Sequence, residues 1–194
     1  MEPEVSLILL GAGSGRRFGS DKLTAPLDGI PVGMYALETF VLVPFARRIY
    51  VTRPDHETLW EKARALGYGI VMNRDPDRGI SSSIRLGLHV LAAMGAADGG
   101  LLFAVSDQPR LRADSVRRMI DAFRETPDRI VRLAKDGREG NPVLFPASLC
   151  GELMRLEGDT GGKQVIERHR GLVRTVEAGS AEELCDVDVP EDLR

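Results

Sequence analysis

Cysteine is scarce: Cys150 and Cys185 are the only two in 194 residues. Two thiols cannot build a zinc framework, and the count fits a reducing cytosol while leaving one disulfide open. Histidine is thin as well, with His56, His89 and His169 far apart and without ligand spacing. Aromatic residues total 5%, and the single tryptophan, Trp60, is expected to pack a helix against a sheet. Charge of one sign is not in excess. Lys+Arg 26 against Asp+Glu 29 gives a net charge of −3, unlike the overall positive field of a nucleic-acid binder. No apolar run reaches membrane length, and the first six residues, with Glu2 and Glu4, lack the basic region of a signal peptide. The expectation is a cytoplasmic protein that engages neither nucleic acid nor membrane. What is present is ordinary for a globular chain, 43% hydrophobic and 28% charged, of a length that predicts one domain over residues 1–194.

Short apolar runs alternate with amphipathic stretches. Strands are predicted at 5–10, 48–52, 69–72, 101–105, 129–133, 143–145 and 172–176. Helices are predicted at 31–40, 56–66, 81–94, 112–123, 147–156 and 162–169. The 101–105 run is the most apolar and is expected to be the central strand. Strand–helix–strand alternation predicts an α/β fold: a three-layer, Rossmann-like, mainly parallel sheet with helices on both faces. The tail departs from simple alternation, which leaves room for one antiparallel strand in a mixed sheet.

In such a sheet, ligands bind beyond the carboxyl ends of the strands, and four segments are candidates for that edge. Gly11-Ala12-Gly13-Ser14-Gly15-Arg16-Arg17-Phe18-Gly19-Ser20-Asp21-Lys22 directly follows the first strand. It is not a Walker A loop, because Asp21 precedes Lys22. Nor is it a dinucleotide fingerprint, because Arg16 stands where the third glycine belongs. It remains a loop whose glycines let main-chain N–H groups approach an anion, with Arg17 and Lys22 as counter-charges. The bland alternative, a surface turn with solvated basic residues, is disfavoured by four glycines, two arginines and a lysine in twelve residues after a buried strand. In Arg78-Gly79-Ile80-Ser81-Ser82-Ser83, one serine is explained as a helix cap; the others leave hydroxyls for a base edge or ribose. Asp107, in Ser106-Asp107-Gln108-Pro109, sits where a hard cation such as Mg²⁺ could bridge phosphates, or is simply a turn residue. In Asp186-Val187-Asp188-Val189, a period of two would put both carboxylates on one face, either around a cation or on a solvated edge.

With these residues in place, the chain resembles the MobA-like nucleotidyltransferases, in particular their molybdenum cofactor cytidylyltransferase branch. The family opens A-A-G-x-S-x-R-[FM]-G-x-x-K, which the segment from Gly11 to Lys22 follows, with Gly11 for the first alanine and Gly15 for the serine. The likeness continues in order through Arg78-Gly79-Ile80-Ser81-Ser82-Ser83, Ser106-Asp107-Gln108-Pro109, Gly140-Asn141-Pro142-Val143, Gly158-Asp159-Thr160-Gly161-Gly162 and Asp186-Val187-Asp188-Val189-Pro190-Glu191-Asp192. Where the family often has Gly-Ala-Arg, this chain has Gly161-Gly162-Lys163. The resemblance implies the nucleotide-diphospho-sugar transferase type of fold. It implies nucleotide binding by Gly11, Ala12, Gly13, Ser14, Gly15, Arg17, Lys22, Gly79, Ser82 and Ser83, and catalysis by Lys22, Arg17 and Asp107. It further implies Mg²⁺ on Asp107 and Asp188, and an acceptor near Asn141 and Asp159.

The implied reaction moves a nucleotidyl group, CTP being preferred over GTP, onto the phosphate of a molybdopterin-type acceptor and releases pyrophosphate. A molybdoenzyme or its chaperone would be the onward partner. The alternatives are a guanylyltransferase, a sugar- or alcohol-phosphate nucleotidyltransferase, an NAD(P)H-dependent oxidoreductase relative, or a non-catalytic nucleotide-binding chaperone. The missing dinucleotide fingerprint, with Asp107 and Asp188 both present, weighs against the oxidoreductase.

Overall fold

The computed structural model describes residues 3–13, 18 and 21–193. Strand β1 (Val5–Gly11) is buried at every position. A strand covered on both faces reads as an unbroken apolar run, as residues 5–10 do. A small ribbon follows, β2 (Pro26–Leu27) antiparallel to β3 (Ile30–Pro31). Strands this short have no periodicity for a sequence reading to detect.

The remaining strands are β4 (Arg48–Thr52), β5 (Gly69–Met72), β6 (Gly100–Val105), β7 (Ile130–Lys135), β8 (Arg138–Pro146) and β9 (Val173–Glu177). With β1 they form a seven-stranded sheet in the order β5-β4-β1-β6-β8-β7-β9. β6 is the central strand, as its composition implied. β8 alone runs antiparallel to both of its neighbours, β6 and β7. The mainly parallel, mixed sheet is therefore the one expected.

The helices are α1 (Val32–Val41), α2 (Glu57–Ala65), α3 (Ile80–Ala93), α4 (Ala113–Glu125), α5 (Cys150–Leu153) and α6 (Lys163–Arg168). Leu37 and Phe40 of α1, Leu59 of α2, and Val116 and Phe123 of α4 pack with Leu7, Leu9 and Leu102. Leu88 and Leu91 of α3, Leu153 of α5 and Val165 of α6 pack on the other face with Ile8, Leu10 and Phe103. Successive strand residues point to opposite faces, so Leu7 and Ile8 serve different layers. Each fully buried side chain of this size stabilises by about 1.5–3 kcal/mol. No helix among the described residues is long and apolar enough to cross a membrane.

Two expected boundaries move. The helix expected at 147–156 is a 3-10 turn, Ala147–Leu149, followed by the single turn α5. Gly151 inside this stretch lowers its helix propensity. β8 starts at Arg138, ahead of the apolar stretch at 143–145, because ladder bonds to β7 carry its polar half past a bulge at Arg132/Leu133. Residues 185–188 join no ladder.

Close packing where β1 ends dictates one residue type. A Cβ on Gly11 would lie 2.5 Å from Tyr50 Oη and 2.6 Å from Tyr50 Cε2. The Tyr50 ring thus fills the volume that the family's alanine methyl would take, and it is itself fully buried. Gly11→Ala is expected to lower stability by about 1–3 kcal/mol through overpacking. Urea denaturation checks this: combining Gly11→Ala with Tyr50→Leu should recover part of the loss relative to the sum of the two.

Candidate active site

Where β1 and β6 end, the chain turns into loops that bring opposite charges together. Ser106 N–H donates to the Leu10 carbonyl at 2.9 Å, so the segment carrying Asp107 leaves the sheet beside the end of β1. Lys22 Nζ lies 2.5 Å from Asp107 Oδ2 and 3.3 Å from Asp188 Oδ1. The Lys22 and Asp107 side chains are only 15% and 17% exposed, so this contact is largely shielded from water.

The tail reaches the site through a strap. Val187 N–H donates to the Asp107 carbonyl at 2.8 Å, and the Val187 side chain enters the core. With Val187 turned inward, Asp186 and Asp188 on either side of it face the Lys22–Asp107 pair. The Asp192 carboxylate accepts the N–H groups of Asp188 and Val189 at 2.8 and 3.0 Å, closing the turn behind Asp188. Those bonds hold the Asp192 carboxyl below its usual range.

The charges tune one another. Burial would lower the Lys22 ammonium, but the Asp107 and Asp188 carboxylates outweigh it and raise its pKa, so Lys22 stays cationic. Asp186 moves upward, to about 6. Partial loss of water contributes most, then the Asp107 and Asp188 charges, against a hydrogen bond from Gln108 and the field of Lys22. Asp186 nonetheless keeps an open surface, so the energetic consequence is smaller than that shift alone implies.

The donor set suits a hard divalent cation. Asp107 Oδ1 is buried and has no hydrogen-bond partner among the described residues, an unusual state for a carboxylate oxygen. It supplies the type of hard oxygen ligand that such an ion takes, with Asp188 beside it. No three His, Cys, Asp or Glu side chains among the described residues form a metal-holding group by themselves. Lys22 occupies the space between these carboxylates.

The other candidates distribute as follows. Gly11 and Ala12 are buried at the end of β1, and the Gly13 carbonyl accepts from Arg53 Nη1 at 3.4 Å. Ser14, Gly15 and Arg17 lie outside the described residues. Gly79 precedes α3 at φ +86, and a Cβ there would sit 2.3 Å from the carbonyl carbon of Gly158 and 2.6 Å from the Asp159 N. The segment holding Asp159 therefore rests directly on the start of α3. Ser82 and Ser83 both accept from Asn73 Nδ2 at 2.9 Å, while Ser82 Oγ donates to the Gly79 carbonyl at 2.8 Å. Beside them opens a cavity of about 400 Å³ whose walls include Asn73, Arg74, Arg78, Ser82 and Arg85. Asn141 lies in β8, two residues before Val143, which pairs with Phe103 of β6. It thus sits at the same sheet edge, though it makes no hydrogen bond to the other candidates among the described residues.

Asn73 and the surroundings of Asp186 escaped the sequence reading. Asn73, which orders the serines, follows a strand with no motif around it. Asp186 was visible as half of an alternating pair, but spacing alone could not separate its surroundings from those of Asp188. Of the remaining candidates, Trp60 is half-buried against the core with its Nε1 donating to the Pro54 carbonyl at 3.3 Å. Cys150 and Cys185 are free thiols, and burial pushes the Cys150 thiol up, away from nucleophile chemistry.

Comparison with known proteins now bears on this edge. The profile of the MobA-like NTP transferase domain matches residues 7–173. The chain belongs to the MobA-like NTP transferase family. Among curated relatives, the purine catabolism protein PucB of Bacillus subtilis is 26% identical, over 95% of this chain and 92% of its own length. The 2-C-methyl-D-erythritol 4-phosphate cytidylyltransferase of Rhodopirellula baltica is 28% identical, over 98% of this chain and 92% of its own. The crystal structure of Rv0371c from Mycobacterium tuberculosis superposes with a TM-score of 0.81 at 25% identity, covering 97% of this chain and 95% of that one. Rv0371c has also been crystallised in complex with manganese, and that structure matches with a TM-score of 0.75 at 24% identity. The fold is thus that of the nucleotide-sugar transferases. Asp186 and Asp188 lie beyond the matched residues, on the segment that the Val187 N–H ties to the Asp107 carbonyl.

The raised Asp186 carboxyl has a consequence for stability. The folded chain binds this proton more tightly than the unfolded chain, whose carboxyl titrates near 3.8. Stability contributed by this group therefore falls as pH rises through the interval between about 4 and about 6, and returns on acidification. In metal-free buffer, Asp186→Asn is expected to remove that component and to be more stable than the parent at pH 7.5. The gain should be a few tenths of a kcal/mol up to about 1 kcal/mol, given solvent screening. Chemical denaturation of both proteins at pH 5 and pH 7.5 measures it.

Proposed function

We propose that the chain is a Mg²⁺-dependent nucleotidyltransferase of one domain that transfers CMP from CTP to the phosphate of a molybdopterin-type acceptor. The observation that carries this reading is the meeting of Lys22, Asp107 and Asp188 at the edge where the glycine-rich loop leaves β1. A cytidylyltransferase among its relatives, aligned over nearly the whole chain, supports the choice of CTP. The ordered motifs shared with the molybdenum cofactor branch support the acceptor.

An oxygen of the acceptor phosphate attacks the α-phosphorus of the nucleotide. The bond from that phosphorus to the bridging oxygen of the β-phosphate breaks, and pyrophosphate leaves with the electron pair. No general base is required, because a phosphate monoester with a second pKa of about 6 is already largely dianionic at neutral pH. The obstacle is repulsion between two polyanions. Lys22 and Arg17 supply positive charge against it, and the loop amides orient the triphosphate for in-line attack. Asp107 and Asp188 would hold the divalent ion, which supplies further charge neutralisation at the phosphates when bound. Gly79, Ser82 and Ser83 would receive base and ribose, with Asn73 fixing both serine hydroxyls. Asn141 and Asp159 would face the acceptor.

The same relative, whose name specifies an alcohol phosphate, favours a second reading in which the acceptor is a small polyol phosphate. The two differ only at the acceptor. A pyrophosphate-release assay with molybdopterin and with polyol phosphates separates them.

Losing one charge-stabilising contact typically costs roughly 3 kcal/mol of barrier, near 100-fold in rate. Lys22→Ala and Asp107→Ala are each expected to lower pyrophosphate release by about that factor while the far-UV spectrum stays unchanged. Near-parental turnover in either variant overturns the assignment. A thermal-shift panel of CTP, GTP, ATP and NADPH, with and without Mg²⁺, should show metal-dependent stabilisation by CTP. Stabilisation by NADPH alone would instead favour the oxidoreductase.

A further inference from the structure

Lys22 reaches Asp107 and Asp188 from a turn, so neither helix nor sheet hydrogen bonding fixes its position. Its neighbour does part of that. Asp21 Oδ1 accepts the Leu23 N–H at 3.2 Å, and the Asp21 carbonyl accepts from Thr24 Oγ1 at 3.1 Å. An aspartate bonding two residues onward closes a turn locally, and here the turn closes around Lys22. The second carboxylate oxygen points back toward the sheet. Asp21 Oδ2 lies 2.7 Å from His56 Nε2 and 3.6 Å from Arg53 Nη2. The His56 side chain is 0% exposed. It stands at the entrance of α2, with Nδ1 3.5 Å from Thr52 Oγ1 at the end of β4. Arg53 is itself held by Asp55, through bonds of 3.0 and 2.9 Å, and reaches the Gly13 carbonyl.

We propose that His56 and Asp21 form a positioning pair that transmits the place of β4 to Lys22 and so sets its ammonium against Asp107 and Asp188. The proposal rests on the reading of Lys22 as the phosphate-facing cation. Neither member of the pair touches the reacting atoms; they act through the turn. The connection is continuous: the end of β4, the His56 ring, the Asp21 carboxylate, then the peptide units on both sides of Lys22. Burial alone would raise the Asp21 carboxyl, but His56 at 2.7 Å, the Leu23 N–H and Arg53 together hold it below its ordinary value. It therefore remains a permanent acceptor near neutral pH. A buried imidazole matched to one carboxylate would stabilise any fold. Its attachment to the residue immediately before Lys22 means that displacing the pair displaces Nζ, and misplacement by about 1 Å can cost about 100-fold in rate.

The test uses His56→Phe, which fills the ring volume without a donor, and His56→Gln, which restores a donor. With CTP, Mg²⁺ and acceptor, His56→Phe should lower kcat about 10- to 100-fold while KM for CTP changes less than about threefold. His56→Gln should recover most of kcat. In the double variant with Asp21→Ala, the loss should be no greater than for Asp21→Ala alone, as expected for two residues acting through one contact. A second readout does not depend on turnover. Acylation of lysines followed by peptide mass spectrometry should show Lys22 reacting several-fold faster in His56→Phe, with Lys62, Lys135 and Lys163 as unchanged references. Unchanged Lys22 labelling in a folded His56→Phe protein overturns the proposal, whatever the turnover. Faster Lys22 labelling in His56→Phe, together with a parent chain that turns over no triphosphate, would uphold the pair and sink the transferase reading instead.

Discussion

An ammonium ion wedged among carboxylates is the interaction on which this architecture depends. Asp107 and the Asp186–Asp188 segment come to one sheet edge from distant parts of the chain, and like charges brought together repel. Lys22 makes their approach tolerable, and it pays for its own partial burial with the two oxygens within 3.3 Å of it. Each side of the cluster offsets the charge of the other. The strap at Val187, the turn closed by Asp192 and the turn closed by Asp21 all serve to keep the partners together.

The same cluster explains how an ordinary sheet becomes chemically useful. Parallel strands end on one edge, so β1 and β6 deliver the glycine-rich loop and Asp107 side by side without special pleading. The reversal at β8 has a different effect. It brings the start of that strand, with Asn141, to the same edge that receives the ends of the others. The segment around Asp159 then leans on the positive-φ Gly79 at the start of α3.

Much of this was legible in the residues. The buried strands β1 and β6 announced themselves as apolar runs ended by glycine or by a polar turn, and α3 as an amphipathic repeat with serines at its beginning. The position of β6 at the centre followed from its composition. The β2–β3 ribbon did not, because two-residue strands have no period, and the polar half of β8 did not, because ladder pairing rather than apolarity defines it. At the site, Lys22, Asp107 and Asp188 could be named from spacing and resemblance. The contact of Asp21 with His56 could not, since nothing in either local sequence encodes a partner on the neighbouring strand's loop. Asp186 and Asp188 looked equivalent on paper. Only the three-dimensional surroundings distinguish the one that contacts Lys22 from the one whose carboxyl is driven upward.

The strap has an implication for how the acidic cluster can be lost. The Val187 N–H bond to the Asp107 carbonyl ties the segment of Asp186 and Asp188 to the sheet, although residues 185–188 join no ladder themselves. Such a segment can peel away while β1 and β6 stay paired, and it takes two carboxylates with it. Lys22 and Asp107 then face each other alone.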